Sequence, residues 1–403
     1  MKKRFFQTNG HLIDSGVFSR ILNTILNEQG DYEITKFLVG KLPGEPSSLE
    51  FVVTGDTSKK IQHISYLLRD LGAFEKEVPS ARLIPSDADK HVPKGFYSTT
   101  NHRTEVYYNG LWHEVLEQRM DAALVLRADG KFFCVKLRDI RTGDLVVCSS
   151  KSIRIYPPSI ERRSNFTFMA NAVSSERSGQ VAVDRVAAEM KNMRDSKGKV
   201  VVVCGPVVVH TGGADALASL IRDGYIQGFL GGNAVAVHDL EYRFYGTSLG
   251  VDLKTGIIIE HGHNHHMRAI NTIYGCGSIR QAIDEGILTE GLMYEVVKSG
   301  IPYCLAGSIR DDGPLPETVN DMIEAQRRYA EIIKDADMVI MLATMLHSIG
   351  TGNMTPSYVK TICVDINPAV VTKLSDRGSG QVIGIVSDVG LFLRALAERV
   401  RSL

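Results

Sequence analysis

The sequence has no excess of charge of either sign. Its 403 residues include 46 lysines and arginines and 46 aspartates and glutamates, so the formal net charge is zero. A protein that holds a nucleic-acid backbone needs a positive field, and this balance therefore argues against a nucleic-acid partner. We expect the substrate to be a small molecule.

Long apolar segments and paired cysteines are also missing. No stretch reaches the roughly 18 apolar residues that span a bilayer, and the basic N-terminus lacks the apolar run of a signal peptide. The six cysteines form no C-x-x-C pair and show no disulfide-like spacing. We therefore expect no membrane partner and a cytoplasmic protein.

Three regions differ in their pattern of apolar residues. Residues 1–95 mix two helical stretches, at 16–28 and 59–71, with strand-like stretches and predict a small α+β domain. Residues 96–160 are rich in strand signals, among them the hairpin dipeptide Asn109-Gly110, and predict a small β-rich domain or barrel. Residues 165–403 alternate short apolar runs with helical segments, which predicts an α/β domain with a doubly wound parallel sheet.

The elements of this third region can be named from the sequence. Six apolar runs predict its strands: Val200–Cys204, Gly228–Gly232, Tyr303–Ala306, Met338–Ala343, Thr361–Val364 and Val382–Val386. Helices are predicted between them, including Ala214–Arg222, Ile279–Glu285, Val319–Ile333 and Val389–Arg399.

Acidic residues end two of these predicted strands. Asp365 closes the run TICVD, and a carboxylate at such a strand end binds the ribose hydroxyls of a dinucleotide and favours NAD over NADP. The alternative is a helix N-cap. Asp388 repeats the arrangement before the last helix, beside Val389, and capping is the stronger alternative there.

Two further strand ends carry polar residues. Asn233 and Ala234 follow Gly231-Gly232, where the amide can bond a ribose or carboxamide, or alternatively cap a helix. Another strand ends in Thr344-Met345-Leu346-His347, with glycines just beyond. Polar residues on successive strands of one sheet predict a dinucleotide crevice, although the sequence contains no G-x-G-x-x-G fingerprint there.

The histidines are concentrated in one cluster, in which four of the 12 fall within six residues (261, 263, 265 and 266). A metal site is one interpretation, but H-E-x-x-H and paired cysteines are absent, and we expect no metal. Solvated loop histidines are a second. The third, which we favour, is acid–base chemistry or substrate orientation.

A second cluster, RDDG, follows the predicted strand Tyr303–Ala306. Arg310 can pair with a substrate carboxylate through two hydrogen bonds. Asp311 and Asp312 can hold an ammonium group or a cofactor ribose. A turn built by Asp-Gly-Pro is the alternative for at least one of them.

Five segments resemble one family: GFYSTTNHRTEV, GHNHHMRAIN, MYEVVKSGIPYCLAGSIRDDGPLP, MVIMLATMLHSIGTGNM and TICVDINPAVVTKLSDRGS. It is the family with the conserved region of lysine-ketoglutarate reductase/saccharopine dehydrogenase. Its characterised members are archaeal-type NAD-dependent ornithine cyclodeaminases. In longer relatives the same module follows an arginine dihydrolase domain. The likeness covers nearly the whole chain and is most specific in the C-terminal motifs.

The resemblance implies a Rossmann-like domain related to deoxyhypusine synthase, with NAD as cofactor. Carried over by motif, it implies these NAD contacts: Asn233, Ala234, Asp312, Thr344, Met345, Leu346, His347, Asp365, Asp388 and Val389. It also implies an ammonia-lyase of arginine and ornithine metabolism that forms L-proline from L-ornithine, with hydride transferred to NAD and back.

That reaction needs a base and groups that hold the substrate. We propose His263 or His266 as the base, Arg310 for the carboxylate and Asp311 for the distal ammonium. A net amino-acid or saccharopine-like dehydrogenase, and a non-catalytic sensor of NAD or amino acids, remain open as alternatives. The apolar edges of the domains make a homo-oligomer the expected assembly.

Overall fold

The structure, a computed structural model, describes residues 2–13, 15–40, 45–76, 78–156, 175–253, 255, 264–311, 313–376 and 382–403. They divide into two compact units. The first contains the described residues up to 156 together with 353–358, and the second contains the other described residues from 175 onward.

A four-stranded antiparallel sheet with two helices begins the first unit. Its strands lie in the order β2-β3-β1-β4, and Phe6, Phe51, Ile21 and Ile64 are buried in its core. Helices predicted at 16–28 and 59–71 are confirmed to within one residue at either end. The elements are β1 (Lys2–Gly10), α1 (Val17–Asn27), β2 (Asp31–Leu38), β3 (Ser47–Gly55), α2 (Ser58–Asp70) and β4 (Phe74–Glu75).

A seven-stranded sheet completes the first unit. Asn109 and Gly110 have positive φ angles of 50° and 82°, as a tight two-residue hairpin requires, and they join β6 to β7 as predicted. The order β11-β6-β7-β9-β8-β10-β5 is open among the described residues. The strands are β5 (Leu83–Pro85), β6 (Arg103–Tyr108), β7 (Leu111–Leu116), β8 (Ala123–Leu126), β9 (Phe132–Val135), β10 (Leu145–Val147) and β11 (Ile153–Tyr156), with a 3-10 turn at Leu137–Asp139.

A second seven-stranded sheet, all parallel, forms the centre of the second unit. The six predicted strands are confirmed, and the short edge strand β17 is additional. The strands are β12 (Val200–Cys204), β13 (Gly228–Gly232), β16 (Tyr303–Ala306), β17 (Thr318–Val319), β18 (Met338–Leu342), β19 (Lys360–Asp365) and β20 (Val382–Val386). A separate small ribbon pairs β14 (Thr247–Ser248) with β15 (Val251–Asp252).

Helices connect the parallel strands, and the predicted α/β class with a doubly wound sheet is confirmed. The helices are α3 (Ser175–Asp195), α4 (Val207–His210), α5 (Ala214–Arg222), α6 (Asn233–Tyr245), α7 (His265–Cys276), α8 (Ile279–Asp284), α9 (Leu292–Lys298), α10 (Met322–Ile333), α11 (Met345–Gly352), α12 (Pro368–Asp376) and α13 (Val389–Ser402). In the part of the chain that the structure describes, no helix combines the length and apolar character needed to cross a membrane.

The strand order β17-β16-β13-β12-β18-β19-β20 reverses direction at β12. The chain moves outward from β12 to β17 and then returns to lay β18 on the other side of β12. Parallel α/β sheets bind ligands outside the carboxyl ends of the strands at such a reversal. The fold therefore points to the loops that follow β12 and β18.

Candidate functional site

The loops after β12 and β18 touch one another closely. The backbone N–H of Gly205 donates to the carbonyl oxygen of Leu342 over 2.9 Å, and a Cβ on Gly205 would overlap the carbonyl oxygen of Ala343. Ala343 itself has a positive φ of 47°, a conformation that costs a non-glycine residue about 1 kcal/mol or more. A strained turn therefore begins the segment Thr344–His347.

His347 lies in the first turn of α11 and reaches back to the end of β13. A Cβ on Gly232 would lie 2.9 Å from its Nε2 atom, so the glycine is what allows the ring this position. Nδ1 of His347 lies 3.1 Å from the hydroxyl of Tyr329 on α10. Burial lowers the pKa of His347, and the negative charge of Asp311 opposes that shift. The ring is therefore neutral at pH 7.

The three residues before His347 differ in exposure. Thr344 is half-buried, whereas the side chains of Met345 and Leu346 are 40% and 78% exposed. Large apolar side chains exposed at the carboxyl edge of a parallel sheet offer a surface to a flat ligand. This segment keeps its assignment as a predicted NAD contact.

Asn233 is the first residue of α6 and is buried. Its side-chain oxygen accepts hydrogen bonds from the backbone N–H of Leu315 (2.9 Å) and the hydroxyl of Thr318 (3.0 Å). It does not cap α6, since Gly232 occupies the N-cap position. A hydrogen bond to a cofactor must therefore come from the side-chain nitrogen of Asn233 or from the backbone of Asn233 and Ala234. Ala234 is half-buried.

The two strand-end aspartates each use one carboxylate oxygen within the protein. Oδ1 of Asp365 accepts from the backbone N–H of Asn367 over 2.8 Å. Oδ1 of Asp388 accepts from the backbone N–H of Leu391 over 2.8 Å and caps α13 just before Val389. The capping alternative is therefore correct for Asp388, while Asp365 closes a turn at the end of β19. Neither bond prevents the second oxygen from meeting a ribose.

The loop after β16 is a turn that Asp311 closes. Its Oδ2 accepts from the backbone N–H of Ser308 over 2.8 Å, and the backbone N–H of Arg310 donates to the hydroxyl of Ser308. The side chain of Arg310 is exposed. The turn interpretation therefore applies to Asp311, and Asp312 lies outside the described residues.

The predicted histidine cluster is divided by the start of α7. His263 lies outside the described residues, His265 is buried and His266 is half-buried. Further along α7, Met267 and Ile270 lie against Gly313, and the hydroxyl of Tyr274 donates to the carbonyl oxygen of Pro314 over 2.7 Å. His266, four residues before Ile270, lies on the same helix face as Ile270.

A buried carboxylate that the sequence reasoning missed lies behind this face. The side chain of Glu241 on α6 is fully buried and accepts from four donors: His238 Nδ1 (3.3 Å), Thr247 Oγ1 (2.9 Å), Leu249 N (3.1 Å) and Gly250 N (2.9 Å). Burial alone would raise the pKa of Glu241, but these hydrogen bonds outweigh burial and lower the pKa. The group is therefore charged, and it anchors the β14–β15 ribbon.

Two more histidines surround this carboxylate. The rings of His210 and His238 meet edge to face, with centroids 4.7 Å apart, and Nδ1 of His210 lies 2.6 Å from the hydroxyl of Ser248. Burial, together with the neighbouring His238, lowers the pKa of His210 to about 4. The only sequence signal for this group is the i,i+3 spacing of His238 and Glu241 on one helix face.

Family models cover almost all of the chain. Residues 184–396 match the Rossmann-fold C-terminal domain of ArgZ-like arginine dihydrolases, and residues 103–183 match the first region of that C-terminal part. Residues 3–102 match the conserved region of the LOR/SDH bifunctional enzyme.

Known proteins resemble the chain over its full length. An ornithine cyclodeaminase of Methanocaldococcus jannaschii is 49% identical over 411 residues, with 100% of this chain and 97% of the relative covered. The apo structure of ArgZ, a cyanobacterial arginine dihydrolase, superposes with a TM-score of 0.84 at 43% identity over 100% of this chain. AgrE of Nostoc is a bifunctional arginine dihydrolase/ornithine cyclodeaminase. The structure of AgrE with ornithine and NAD⁺ superposes with a TM-score of 0.55 at 45% identity over 100% of this chain. This chain spans 58% of each of those two longer chains.

Proposed function

This chain belongs to the ornithine cyclodeaminase family, and from that premise we propose that it converts L-ornithine to L-proline and ammonia with NAD as a recycled cofactor. The observation that carries the proposal is a full-length relative named ornithine cyclodeaminase at 49% identity. A structure that holds both ornithine and NAD⁺, solved for a relative that is 45% identical, supports the same ligands. No observation favours the net dehydrogenase or the sensor.

The carboxyl edge of the parallel sheet fits NAD. The strand order reverses at β12, and Asp365 presents a carboxylate at the end of β19. When bound there, NAD would take up a hydride from the substrate and return it. The residues proposed to hold it are Asn233, Ala234, Asp312, Thr344, Met345, Leu346, His347, Asp365, Asp388 and Val389.

The substrate is proposed to lie at the loop that follows β16. Arg310 would pair with the ornithine carboxylate, and Asp311 would accept from the distal ammonium group. His266 or His263 would take a proton from an amine, because histidine titrates near neutral pH. The packing of Met267 and Ile270 on Gly313 supports His266, since it brings the first turn of α7 to this loop.

The cellular setting is proposed on more general grounds. All six cysteines are unpaired, as is usual in a reducing compartment, which supports the cytoplasm.

The apolar side chains of Ile366, Val386 and Leu391, beside the edge strand β20, are 58–70% exposed and support a homo-oligomer. Light scattering would measure the mass of that assembly. A proline product would support a role in proline biosynthesis.

The test of the function is turnover of L-ornithine with a small amount of NAD⁺, far below the amount of substrate. We expect proline and ammonia to form in equal amounts over many turnovers, with no build-up of NADH. Accumulation of NADH in proportion to product would identify a net dehydrogenase. NAD binding without any product from ornithine would refute the enzyme and favour a sensor.

A further inference from the structure

One hydroxyl fixes the orientation and tautomer of His347. The hydroxyl of Tyr329 donates its single proton to the carbonyl oxygen of Gly231 over 2.7 Å. Toward Nδ1 of His347, 3.1 Å away, the same oxygen can therefore act only as an acceptor. Nδ1 of the neutral ring must carry the proton, and Nε2 is left with its lone pair.

The bare Nε2 points to the carboxyl edge of the sheet. It lies 2.9 Å from the position that a Cβ of Gly232 would take, beside the end of β13, and its residue belongs to the helix that follows Thr344. Asp311, in the loop after β16, is close enough for its charge to act on the ring. Proposed cofactor and substrate residues therefore flank a neutral imidazole whose accepting atom is fixed.

The proposed reaction requires such an atom. Both amino groups of ornithine are protonated at neutral pH, and the α-nitrogen must become an amine before hydride can leave the α-carbon. Later the same nitrogen must regain that proton so that it can leave as ammonia. The δ-ammonium group must also lose one proton before its nitrogen attacks the α-carbon, and this second proton, taken by the base proposed above (His266 or His263), converts the ammonia to NH₄⁺. One proton taken and returned at the α-nitrogen and one moved from the δ-nitrogen therefore balance the conversion of the ornithine cation to zwitterionic proline and NH₄⁺.

We propose that Nε2 of His347 is the atom that accepts a proton from the α-ammonium group of ornithine. In this step an N–H bond of the substrate breaks, an Nε2–H bond forms, and the nitrogen keeps the electron pair. The imidazolium returns the proton to the same nitrogen as its bond to carbon breaks, so His347 ends each turnover neutral. Tyr329 is the positioning residue that acts through the ring. The inference rests on the proposed function and assigns His347 a role beyond contact with NAD.

His347→Gln and His347→Asn test the proposal in the full-length chain. Gln places an amide near the position of Nε2, and Asn places one near Nδ1 where it can still meet Tyr329, but neither is basic. We expect kcat, measured at saturating NAD⁺ and ornithine, to fall at least about 100-fold in both, whatever the lost NAD contact does to the Kd for NAD⁺. Activity that returns to within tenfold of wild type at saturating NAD⁺ would overturn the proposal and leave His347 as a cofactor contact only.

Two more measurements separate chemistry from structure. Free imidazole should restore proline formation by His347→Ala in proportion to its concentration, and no restoration in a folded, NAD-binding variant counts against the proposal. Tyr329→Phe keeps the ring but frees its orientation, so we expect a loss of about tenfold in kcat with unchanged Kd for NAD⁺. Unchanged kcat would exclude the positioning role. If wild type forms no proline, the proposed function itself fails, which is a different result.

Discussion

The buried carboxylate of Glu241 is linked to His265 through a single hydroxyl. Oγ1 of Thr247 lies 2.9 Å from Oε1 of Glu241 and 2.8 Å from Nδ1 of His265. Because the hydroxyl donates to the carboxylate, it accepts from His265, whose Nδ1 therefore carries the proton. His265 also stacks on Tyr245, with ring centroids 4.7 Å apart. The start of α7 is thus fixed from α6, and His266 follows immediately.

Replacement of Glu241 by Gln should destabilise the second unit. Each carboxylate oxygen accepts from one backbone N–H, of Leu249 or of Gly250, so the amide nitrogen of Gln must face one of these donors. We expect a loss of about 3 kcal/mol in the free energy of unfolding, measured with denaturant. Glu398→Gln, at an exposed position on α13, is the control and should stay within about 0.5 kcal/mol of wild type. Equal stabilities of the two variants would show that the buried charge is not needed.

His210 should make stability fall with acidification. Its pKa drops from 6.5 to about 4 in the folded chain because of burial and the neighbouring His238. Between these values the unfolded chain binds a proton that the folded chain does not, so stability is full above pH 6.5 and is lost as the pH falls toward 4. With screening at a half-buried ring, we expect a loss of about 2 kcal/mol from this group.

His210→Asn is the matched variant for that measurement, since its amide can still meet Ser248 but does not titrate. Denaturant unfolding at several pH values should give a shallower dependence for this variant between pH 6.5 and 4. Parallel pH curves for the two proteins would exclude His210 as the source.

Two substitutions at Asn233 should separate its role in folding from its proposed role in cofactor binding. Asn233→Ala removes the acceptor for Leu315 and Thr318 and should cost about 2 kcal/mol or more in the free energy of unfolding. Asn233→Asp keeps that acceptor, but its charge repels a pyrophosphate and its side chain has no N–H donor. We expect near wild-type stability with NAD⁺ affinity reduced at least about tenfold, measured by calorimetry. Wild-type affinity in Asn233→Asp would remove this side chain from the cofactor site.

The parallel sheet is the part of the fold that the sequence predicts best. A strand buried on both faces is a continuous apolar run, and runs such as Val200–Cys204 can be recognised without tertiary information. β17 could not be recognised that way, because two residues carry no periodicity and Thr318 becomes a strand residue only by pairing with Leu305. The predicted helix start at Val319 was therefore too early, since α10 begins at Met322.

The sequence indicated the types of polar residue at the proposed site, but not the partners that these side chains contact. Glu241 contacts groups from positions 238 to 250 and reaches 265 through Thr247, an arrangement set by the packing of α6, the β14–β15 ribbon and α7. The histidine cluster was treated as one group, whereas the helix buries His265 and leaves His266 half-buried. Adjacent residues on a helix point about 100° apart, so the separation could be foreseen only once the start of α7 was known.

Asp365 should control the choice between NAD and NADP. Its carboxylate would accept from a ribose hydroxyl and repel a 2′-phosphate, and Asp365→Asn keeps the turn through Asn367. In direct titrations we expect the Kd for NAD⁺ to rise about tenfold. The ratio of the Kd for NADP⁺ to the Kd for NAD⁺, which measures the preference for NAD⁺, should therefore become smaller. Asp195→Asn, exposed at the end of α3 just before β12, should change neither constant. An unchanged preference in Asp365→Asn would place the ribose elsewhere.

Two glycine substitutions should distinguish the position of His347 from the general stability of α11. The backbone at Gly232 has φ −92° and ψ 168°, which alanine adopts without strain, but the added Cβ would lie 2.9 Å from Nε2 of His347. We expect the ring to be displaced from Tyr329, with a loss of about 1–3 kcal/mol in stability and at least about tenfold in kcat at saturating ligands.

Gly350, on the same helix as His347, provides the control, because a Cβ there meets nothing within 4 Å. Gly350→Ala should therefore leave kcat unchanged and stabilise the helix by about 0.5–1 kcal/mol. Equal kcat values for the two variants would mean that catalysis does not depend on where the His347 ring lies.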